Sequence, residues 1–202
     1  MYYHPPKRDH GLRFDPFKAI VAPRPIGWIS SLDKEGRANL APYSYFNAVS
    51  ERPHIVMFSS AGRKDSVQNI EATGEFVCSL TTWDLRREVN LSSAILPHGE
   101  SEFETTGLKT APSRLVKPPR VADAPAALEC RLIKTDPLAG LDGEWSGSTI
   151  VYGEVVGIHV DDDFIIDGRF DMAKARTIAR CGYMDYAVVE SLFEMIRPGK
   201  DS

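Results

Sequence analysis

The segment PIGWISSLDKEGRANLAPYSYF, residues 25–46, has the pattern of two strands joined by a tight turn. Strand-forming residues such as Ile26 and Trp28 come before the sequence DKEG, where Gly36 is able to adopt the positive φ of a hairpin turn. A second run of apolar and aromatic residues follows. The segment therefore predicts an antiparallel β-hairpin.

Further strands are predicted along the chain. The short apolar runs HIVMFSS (54–60) and EFVCSLT (75–81) are bounded by turn-forming residues and predict two buried strands. Two longer strands, AALECRLIK and GSTIVYGEVVGIHV, are joined through PLAGLDGEW. The second of them is apolar on both faces, which predicts an interior position in a sheet.

Helical patterns are fewer. In RKDSVQNIEATG, Val67 and Ile70 have helical spacing, Asp65 is a good N-cap and Gly74 a good residue after the C-terminus. WDLRREVNLSSAI predicts a second helix, and further helices are predicted at 172–180 and 186–195. The proline-containing stretch 101–125 predicts a long ordered loop.

The order of these elements predicts a fold that is mainly β with α. Strands and helices do not alternate as they do in a doubly wound sheet, and the hairpins favour a closed or half-closed antiparallel β-barrel with peripheral helices. The length of 202 residues suits a single domain, 1–202, whose residues 1–16 form an N-terminal arm.

Composition narrows the class of partner. A net charge of −4 and a pI near 5.8 do not favour nucleic acid or an anionic membrane surface. The sequence has no apolar run long enough to span a bilayer and no signal-peptide pattern at its start. Its three cysteines are far apart, which predicts reduced thiols and a cytoplasmic location. The histidines lack metal-ligand spacing, so no metal site is expected.

Two segments carry candidate chemistry. Residues 39–50, NLAPYSYFNAVS, crowd hydroxyls, amides and three aromatic rings together, which would suit a flat, partly polar ligand or a strand end with aromatic core residues. Arg63 and Lys64 precede a helix whose first turn holds Asp65 and Ser66. Such a helix start favours a phosphate group, although a surface helix with two solvated cations has the same pattern.

The segments 24–60, 63–77, EFETTGL (102–108) and GEVVGIHV come in the order found in flavin-reductase-like proteins, and over residues 17–189 the chain resembles the FMN-binding split-barrel family. The resemblance implies a Greek-key barrel of six to seven antiparallel strands and a homodimer with FMN near the interface. It also implies that EFETTGL lies near the open face of the flavin ring.

The resemblance assigns FMN contacts to matching positions. Residues 44–47 would lie along the flavin ring, two serines would approach the ring or the ribityl chain, and the helix start would hold the phosphate. Asp65 would bond to backbone N–H groups, while Lys64 and Ser66 would touch the ligand. The candidate cofactor-binding residues are Ser31, Ser44, Tyr45, Phe46, Asn47, Ser59, Arg63, Lys64, Asp65 and Ser66.

One departure from the family concerns the electron donor. Many flavin reductases that use NADH carry a Gly-Asp-His triplet before their last long strand, and GEWSGSTIVYGEV lacks it. The donor is therefore open between NADH, NADPH and a redox partner protein. No catalytic residue is assigned, because flavin carries the redox chemistry and the transfer needs alignment more than a protein acid or base.

Three functions remain open on the sequence. The first is a flavin-dependent oxidoreductase similar to flavin reductases. The second is a non-catalytic electron-transfer flavoprotein that carries FMN. The third is a split-barrel module without flavin that binds a partner protein or haem, for which His98 or His159 would have to supply the axial ligand.

Overall fold

The computed structural model describes residues 1–97 and 99–199. The helices are α1 (Phe17–Ile20), α2 (Asp65–Thr73), α3 (Arg86–Leu91), α4 (Glu102–Thr106) and α5 (Met172–Ala175). The strands are β1 (Arg24–Pro25), β2 (Gly27–Leu32), β3 (Ala38–Tyr43), β4 (Phe46–Glu51), β5 (His54–Ala61), β6 (Glu75–Leu80), β7 (Thr110–Ala111), β8 (Arg120–Val121), β9 (Ala126–Ala139), β10 (Trp145–Val160), β11 (Ile165–Ile166), β12 (Arg169–Phe170), β13 (Ile178–Arg180) and β14 (Tyr186–Val188).

Seven of the strands in the described residues form one antiparallel sheet in the order β3-β2-β6-β9-β10-β5-β4. Its two edge strands, β3 and β4, are joined by only two residues, Ser44 and Tyr45. Such a short connection reaches from one edge to the other only if the sheet curls round. The ring of Phe46 on β4 accordingly fills the space beside Gly27 on β2. The prediction of an antiparallel split barrel with peripheral helices is confirmed.

Aromatic rings fill the barrel interior. The rings of Tyr43 and Phe58 lie 4.5 Å apart and those of Phe58 and Phe76 lie 5.8 Å apart. Val67 and Ile70, the two apolar residues of α2 identified by their spacing, are fully buried in the same cluster. Helix α2 therefore packs directly against the barrel core, which fixes the position of its first turn.

Several predicted elements are confirmed. Strands β2 and β3 form the hairpin, with Gly36 at φ 83° in the turn. Strands β5 and β6 lie where the apolar runs predict them, and β10 is an interior strand between β9 and β5. Helix α2 ends at Gly74, which adopts φ 76°. The second predicted helix is present as the shorter α3.

The prediction that Asp65 caps α2 is wrong. Lys64 has the extended conformation of a capping residue, at φ −74° and ψ 170°, and Asp65 is the first helical residue. The carbonyl of Lys64 accepts the N–H groups of Val67 and Gln68 at 3.0 and 3.1 Å. A carboxylate in the first turn still interacts favourably with the helix dipole.

Two other predictions are wrong in part because strand pairing outweighs local pattern. Residues 172–180 contain only the short helix α5, since residues 178–180 pair as β13 with β1 and β14. Residues 101–125 are not a continuous loop, because they contain α4 and the small hairpin of β7 and β8.

The helix predicted at 186–195 is absent from the described structure. Residues 186–188 pair as β14 with β13, and residues 189–195 have no regular secondary structure. Its apolar residues Leu192 and Phe193 are 60% and 84% exposed. A short amphipathic helix gains most of its stability from packing of its apolar face, and these two side chains remain largely exposed to solvent in the described structure.

Candidate functional site

The two candidate segments meet at the C-terminal end of β5. Phe46, the first residue of β4, pairs with Phe58 of β5. The backbone N–H of Ser59 donates to the carbonyl of Tyr45 at 2.8 Å. Helix α2 begins at Asp65, a few residues after β5 ends. The aromatic segment and the helix start, which are separated in sequence, therefore lie at the same end of the barrel.

Residues 44–47 expose some of their side chains and bury others. Tyr45 is 40% exposed, with the guanidinium carbon of Arg24 lying 5.6 Å from its ring centroid. Asn47 is exposed, and its side-chain oxygen accepts the backbone N–H of Ala48 at 2.9 Å. Ser44 and Phe46 are half-buried. The segment thus presents both aromatic and polar groups to a ligand.

An apolar groove of about 190 Å³ opens beside Phe46. It is bounded by the start of β2, the end of β6 and the start of β9, and its walls include Pro25, Ile26, Leu80 and Leu128. A cavity of about 150 Å³ holds a molecule the size of benzene. The groove is therefore large enough for one ring but too small for a whole flavin.

The start of α2 holds two cations in different surroundings. Arg63 lies just before α2, and its guanidinium forms a bidentate ion pair with Glu71 on the surface of that helix. Lys64 is exposed, and no carboxylate of residues 1–97 or 99–199 forms an ion pair with it. Of the two predicted cations, Lys64 is the better placed to bind a phosphate group.

Asp65, Ser66 and Ser31 lie closer to the barrel. Asp65 is half-buried in the first turn of α2. Ser66 is 1% exposed, and its Oγ accepts a hydrogen bond from Asn39 Nδ2 at 2.9 Å. Ser31 is fully buried beneath α2, where Asn69 Nδ2 donates to its Oγ at 3.3 Å. These hydroxyls connect the helix to β2 and β3.

The remaining predicted serine, Ser59, is half-buried near the end of β5. Its backbone position beside Tyr45 brings it next to the aromatic segment, whereas Ser31 lies further along the barrel, opposite Asn39. The structure thus places residues 44–47 and Ser59 side by side near the end of β5, and residues 63–66 follow that strand. Ser31 lies under α2, opposite the Asn39 that bonds to Ser66.

Tyr43 belongs to the aromatic segment 39–50 but is not among the predicted cofactor-binding residues. It is 7% exposed at the end of β3, and its side chain belongs to the aromatic core. Burial, the largest effect, raises the pKa of its hydroxyl, although the neighbouring hydroxyls of Ser66 and Ser60 act in the opposite direction. A sequence pattern gives the position of an aromatic ring but not the surroundings of its hydroxyl.

Helix α4 brings the EFETTGL segment against the barrel. Glu102 is 7% exposed, and its Oε2 accepts the backbone N–H of Leu40 on β3 at 2.7 Å. Burial is the main cause that raises the pKa of this carboxyl. Phe103 packs with Trp28 and Leu40. The segment is therefore held against β3, the strand that leads into residues 44–47.

The histidine considered as a haem ligand has another role. His159 Nε2 bonds to Oε1 of Glu129, which lies almost fully buried on β9. This contact ties the imidazole to the sheet. His98 lies outside the described residues. In the described part of the chain no three His, Cys, Asp or Glu side chains gather in a way that could hold a metal ion.

The cysteines are free, as the sequence predicts. Cys78 and Cys130 are buried in the barrel core, and burial raises the pKa of the Cys78 thiol to about 12. No helix among the described residues has both the length and the apolar composition needed to cross a membrane.

The residues at this end of the barrel fit FMN by their chemistry. Lys64 and the start of the nine-residue helix α2 supply positive charge and donors for a phosphate. Tyr45, Asn47 and Ser44 supply an aromatic surface and polar groups for a flat heterocycle. Both features adjoin the C-terminal end of β5, because β4 begins opposite that end and α2 follows it along the chain.

Comparison with known proteins identifies the family to which the chain belongs. A family model described as "Flavin reductase like domain" matches residues 21–171. An uncharacterized protein of Deinococcus radiodurans is 36% identical over 84% of this chain and 77% of that protein.

Two solved structures are also similar over nearly their whole length. Nitrilotriacetate monooxygenase component B from Bacillus cereus has a TM-score of 0.87 and 31% identity, covering 96% of this chain and 98% of that one. The 2-nitrobenzoate 2-nitroreductase of Pseudomonas fluorescens has a TM-score of 0.85 and 25% identity, with coverage of 98% and 97%.

Proposed function

The chain belongs to the family of flavin reductase-like domains, and from this premise we propose that it is an oxidoreductase that binds one FMN per chain. The observation that carries the proposal is the position of Lys64. This cation lies exposed at the start of α2, at the same end of the barrel as the aromatic segment 44–47. A phosphate-bearing flat heterocycle would engage both features at once.

Each group of residues has a separate task in this proposal. Lys64 and the first turn of α2 bind the phosphate, and residues 44–47 hold the polar edge of the ring. Ser59 lies between them, where the ribityl chain would run. FMN when bound supplies the acceptor and donor of electrons, so the protein's task is to orient it and control access.

FMN is preferred over FAD in this proposal because the sequence has no glycine-rich dinucleotide fingerprint to seat a pyrophosphate. The two similar structures, a monooxygenase component and a nitroreductase, support redox chemistry. The free, buried thiols of Cys78 and Cys130 favour a cytoplasmic location.

We expect NADH to be a poor donor, because the Gly-Asp-His triplet of many NADH-using reductases is missing. The test is anaerobic stopped-flow mixing of the FMN-loaded protein with NADH, NADPH and dithionite, followed at the flavin absorption band. Fast reduction by either nicotinamide, followed by transfer of electrons to free flavin, would support a reductase. Negligible reduction by both nicotinamides, with prompt reduction by dithionite, would favour the electron-transfer flavoprotein.

We also propose that the protein is a homodimer. Within one chain, the C-terminal segment leaves large apolar side chains exposed, among them Leu192, Phe193, Met195 and Ile196, each at least 60% exposed. Exposed apolar residues in such a group are typical of interaction surfaces. Light scattering at micromolar concentration should report twice the chain mass of 22.4 kDa, and a monomer there would contradict the proposal.

A further inference from the structure

Three hydroxyl groups lie together beneath the first turn of α2. They belong to Tyr43 at the end of β3, Ser60 near the end of β5 and Ser66 in α2. The Tyr43 ring packs on Phe58 at a centroid distance of 4.5 Å, which fixes where its hydroxyl lies. Asn39 of β3 also contacts this cluster through Ser66.

The hydrogen bonds of the cluster leave one group without a partner. Ser60 Oγ donates to the carbonyl of Gly62 at 3.0 Å, and Ser66 Oγ accepts from Asn39 Nδ2 at 2.9 Å. The hydroxyl of Tyr43 is buried beside the hydroxyls of Ser66 and Ser60, which act to lower its pKa, but its placement does not complete a hydrogen bond to any group of residues 1–97 or 99–199. Unpartnered buried hydroxyls are uncommon, because burying one without a bond costs free energy.

We propose that Tyr43 is a positioning residue for the phosphate of the bound ligand and that it acts through Ser66. This inference rests on the proposed function. A serine hydroxyl has one proton to donate and two lone pairs that accept. Asn39 occupies one lone pair of Ser66 Oγ. When the Tyr43 hydroxyl donates to the other, the single proton of Ser66 is left free to bond to the ligand.

When its neighbours fix the Ser66 hydroxyl as a hydrogen-bond donor, it favours a ligand group that only accepts hydrogen bonds. Phosphate oxygens are such acceptors, and they are also attracted by the N-terminus of α2 and by Lys64. Hydrogen bonds in series polarise one another, so the bond from Tyr43 strengthens the one from Ser66 to the phosphate. Because Ser66 is only 1% exposed, the first turn of α2 has to shift locally as the phosphate reaches it.

The Tyr43→Phe substitution tests this role, because it removes the hydroxyl and keeps the ring. The affinity for FMN should fall about fivefold to tenfold, while that for riboflavin, which lacks the phosphate, should not change. The melting temperature of the flavin-free protein should be equal to or above that of the unaltered protein, since a buried hydroxyl without a partner has been removed. Tyr152→Phe makes the same change to a half-buried tyrosine on β10, whose ring lies under Lys134 and not in the hydroxyl cluster, and should alter neither quantity.

A double-mutant cycle with Ser66→Ala identifies the route of the effect. If Tyr43 acts through Ser66, adding Tyr43→Phe to Ser66→Ala should weaken FMN binding no further. Independent, additive losses would overturn the inference, and so would unchanged FMN affinity in Tyr43→Phe, whatever its melting temperature. Both results leave FMN binding by the unaltered protein in place, whereas its failure to bind FMN would overturn the proposed function itself.

Discussion

The Lys64→Ala variant is expected to bind FMN about ten to a hundred times more weakly than the unaltered protein. A hydrogen bond to a charged group contributes about 1.5–3 kcal/mol, and each 1.4 kcal/mol corresponds to roughly a factor of ten in affinity. The exposed lysine makes no ion pair within the described residues, so its removal should leave the fold intact. Isothermal titration or flavin fluorescence measures the affinity, and the melting temperature monitors the fold.

Riboflavin and a second lysine provide the controls for this variant. Riboflavin lacks the phosphate, so its affinity should barely change. Lys117→Ala removes an exposed lysine beside Ala72 and Thr73, at the opposite end of α2, and should leave FMN binding unchanged. Equal losses for FMN and riboflavin would show that Lys64 does not contact the phosphate.

The Glu129→Ala variant should be the most destabilised of those considered. The buried carboxylate of Glu129 accepts the backbone N–H groups of Arg114, Leu115 and Val116 at 2.7, 2.6 and 3.1 Å, and it also contacts His159. Alanine leaves these donors without their acceptor, which should cost about 3 kcal/mol. For a chain of this size the melting temperature should fall by roughly 6–12 °C, as measured by calorimetry.

The loss of stability in the Glu129→Ala variant should depend on pH in a defined direction. Burial raises the pKa of Glu129, but the amide of Arg114, the side chain of His159 and the amide of Leu115 together hold it below its ordinary value of 4.5. A carboxyl with a lowered folded-state pKa stabilises the fold above the unfolded value and loses that contribution as the pH falls through the folded value. The difference between variant and unaltered protein should therefore narrow in acid.

A matched substitution separates this effect from a general loss of charge. Glu154→Ala removes an exposed carboxylate on β10, which is also next to β9 in the sheet, and should change the melting temperature little. A Glu129→Ala variant as stable as Glu154→Ala would contradict the assigned role of Glu129 as the anchor of residues 114–116.

Much of the fold follows from local patterns in the sequence. The β2–β3 hairpin, β5, β6 and α2 are short elements with strong boundaries, such as Gly36 in the turn and Gly74 after the helix. The errors fall where pairing partners decide the outcome. Residues 186–188 have a helical pattern but form β14, because they pair with the edge of strand β13. No local pattern shows that such an edge is available.

The candidate site was predictable in its parts but not in its orientation. Residues 44–47 and 63–66 are separated in the sequence, and the family resemblance assigned both segments to one ligand. The register of β4 and β5 shows that both adjoin the same end of β5. The sequence did not indicate that Arg63 forms an ion pair with Glu71, or that the Ser66 hydroxyl accepts a hydrogen bond from Asn39. Side-chain partners across the barrel depend on packing that the order of residues does not display.

The central claim is that this chain binds FMN at the start of α2, and titration of the purified protein with FMN tests it most directly. Uptake is followed by the change in the visible absorption spectrum of the flavin, with FAD titrated in parallel. The account predicts saturation at one FMN per chain and weaker binding of FAD. No uptake of FMN, or a clear preference for FAD, would contradict it.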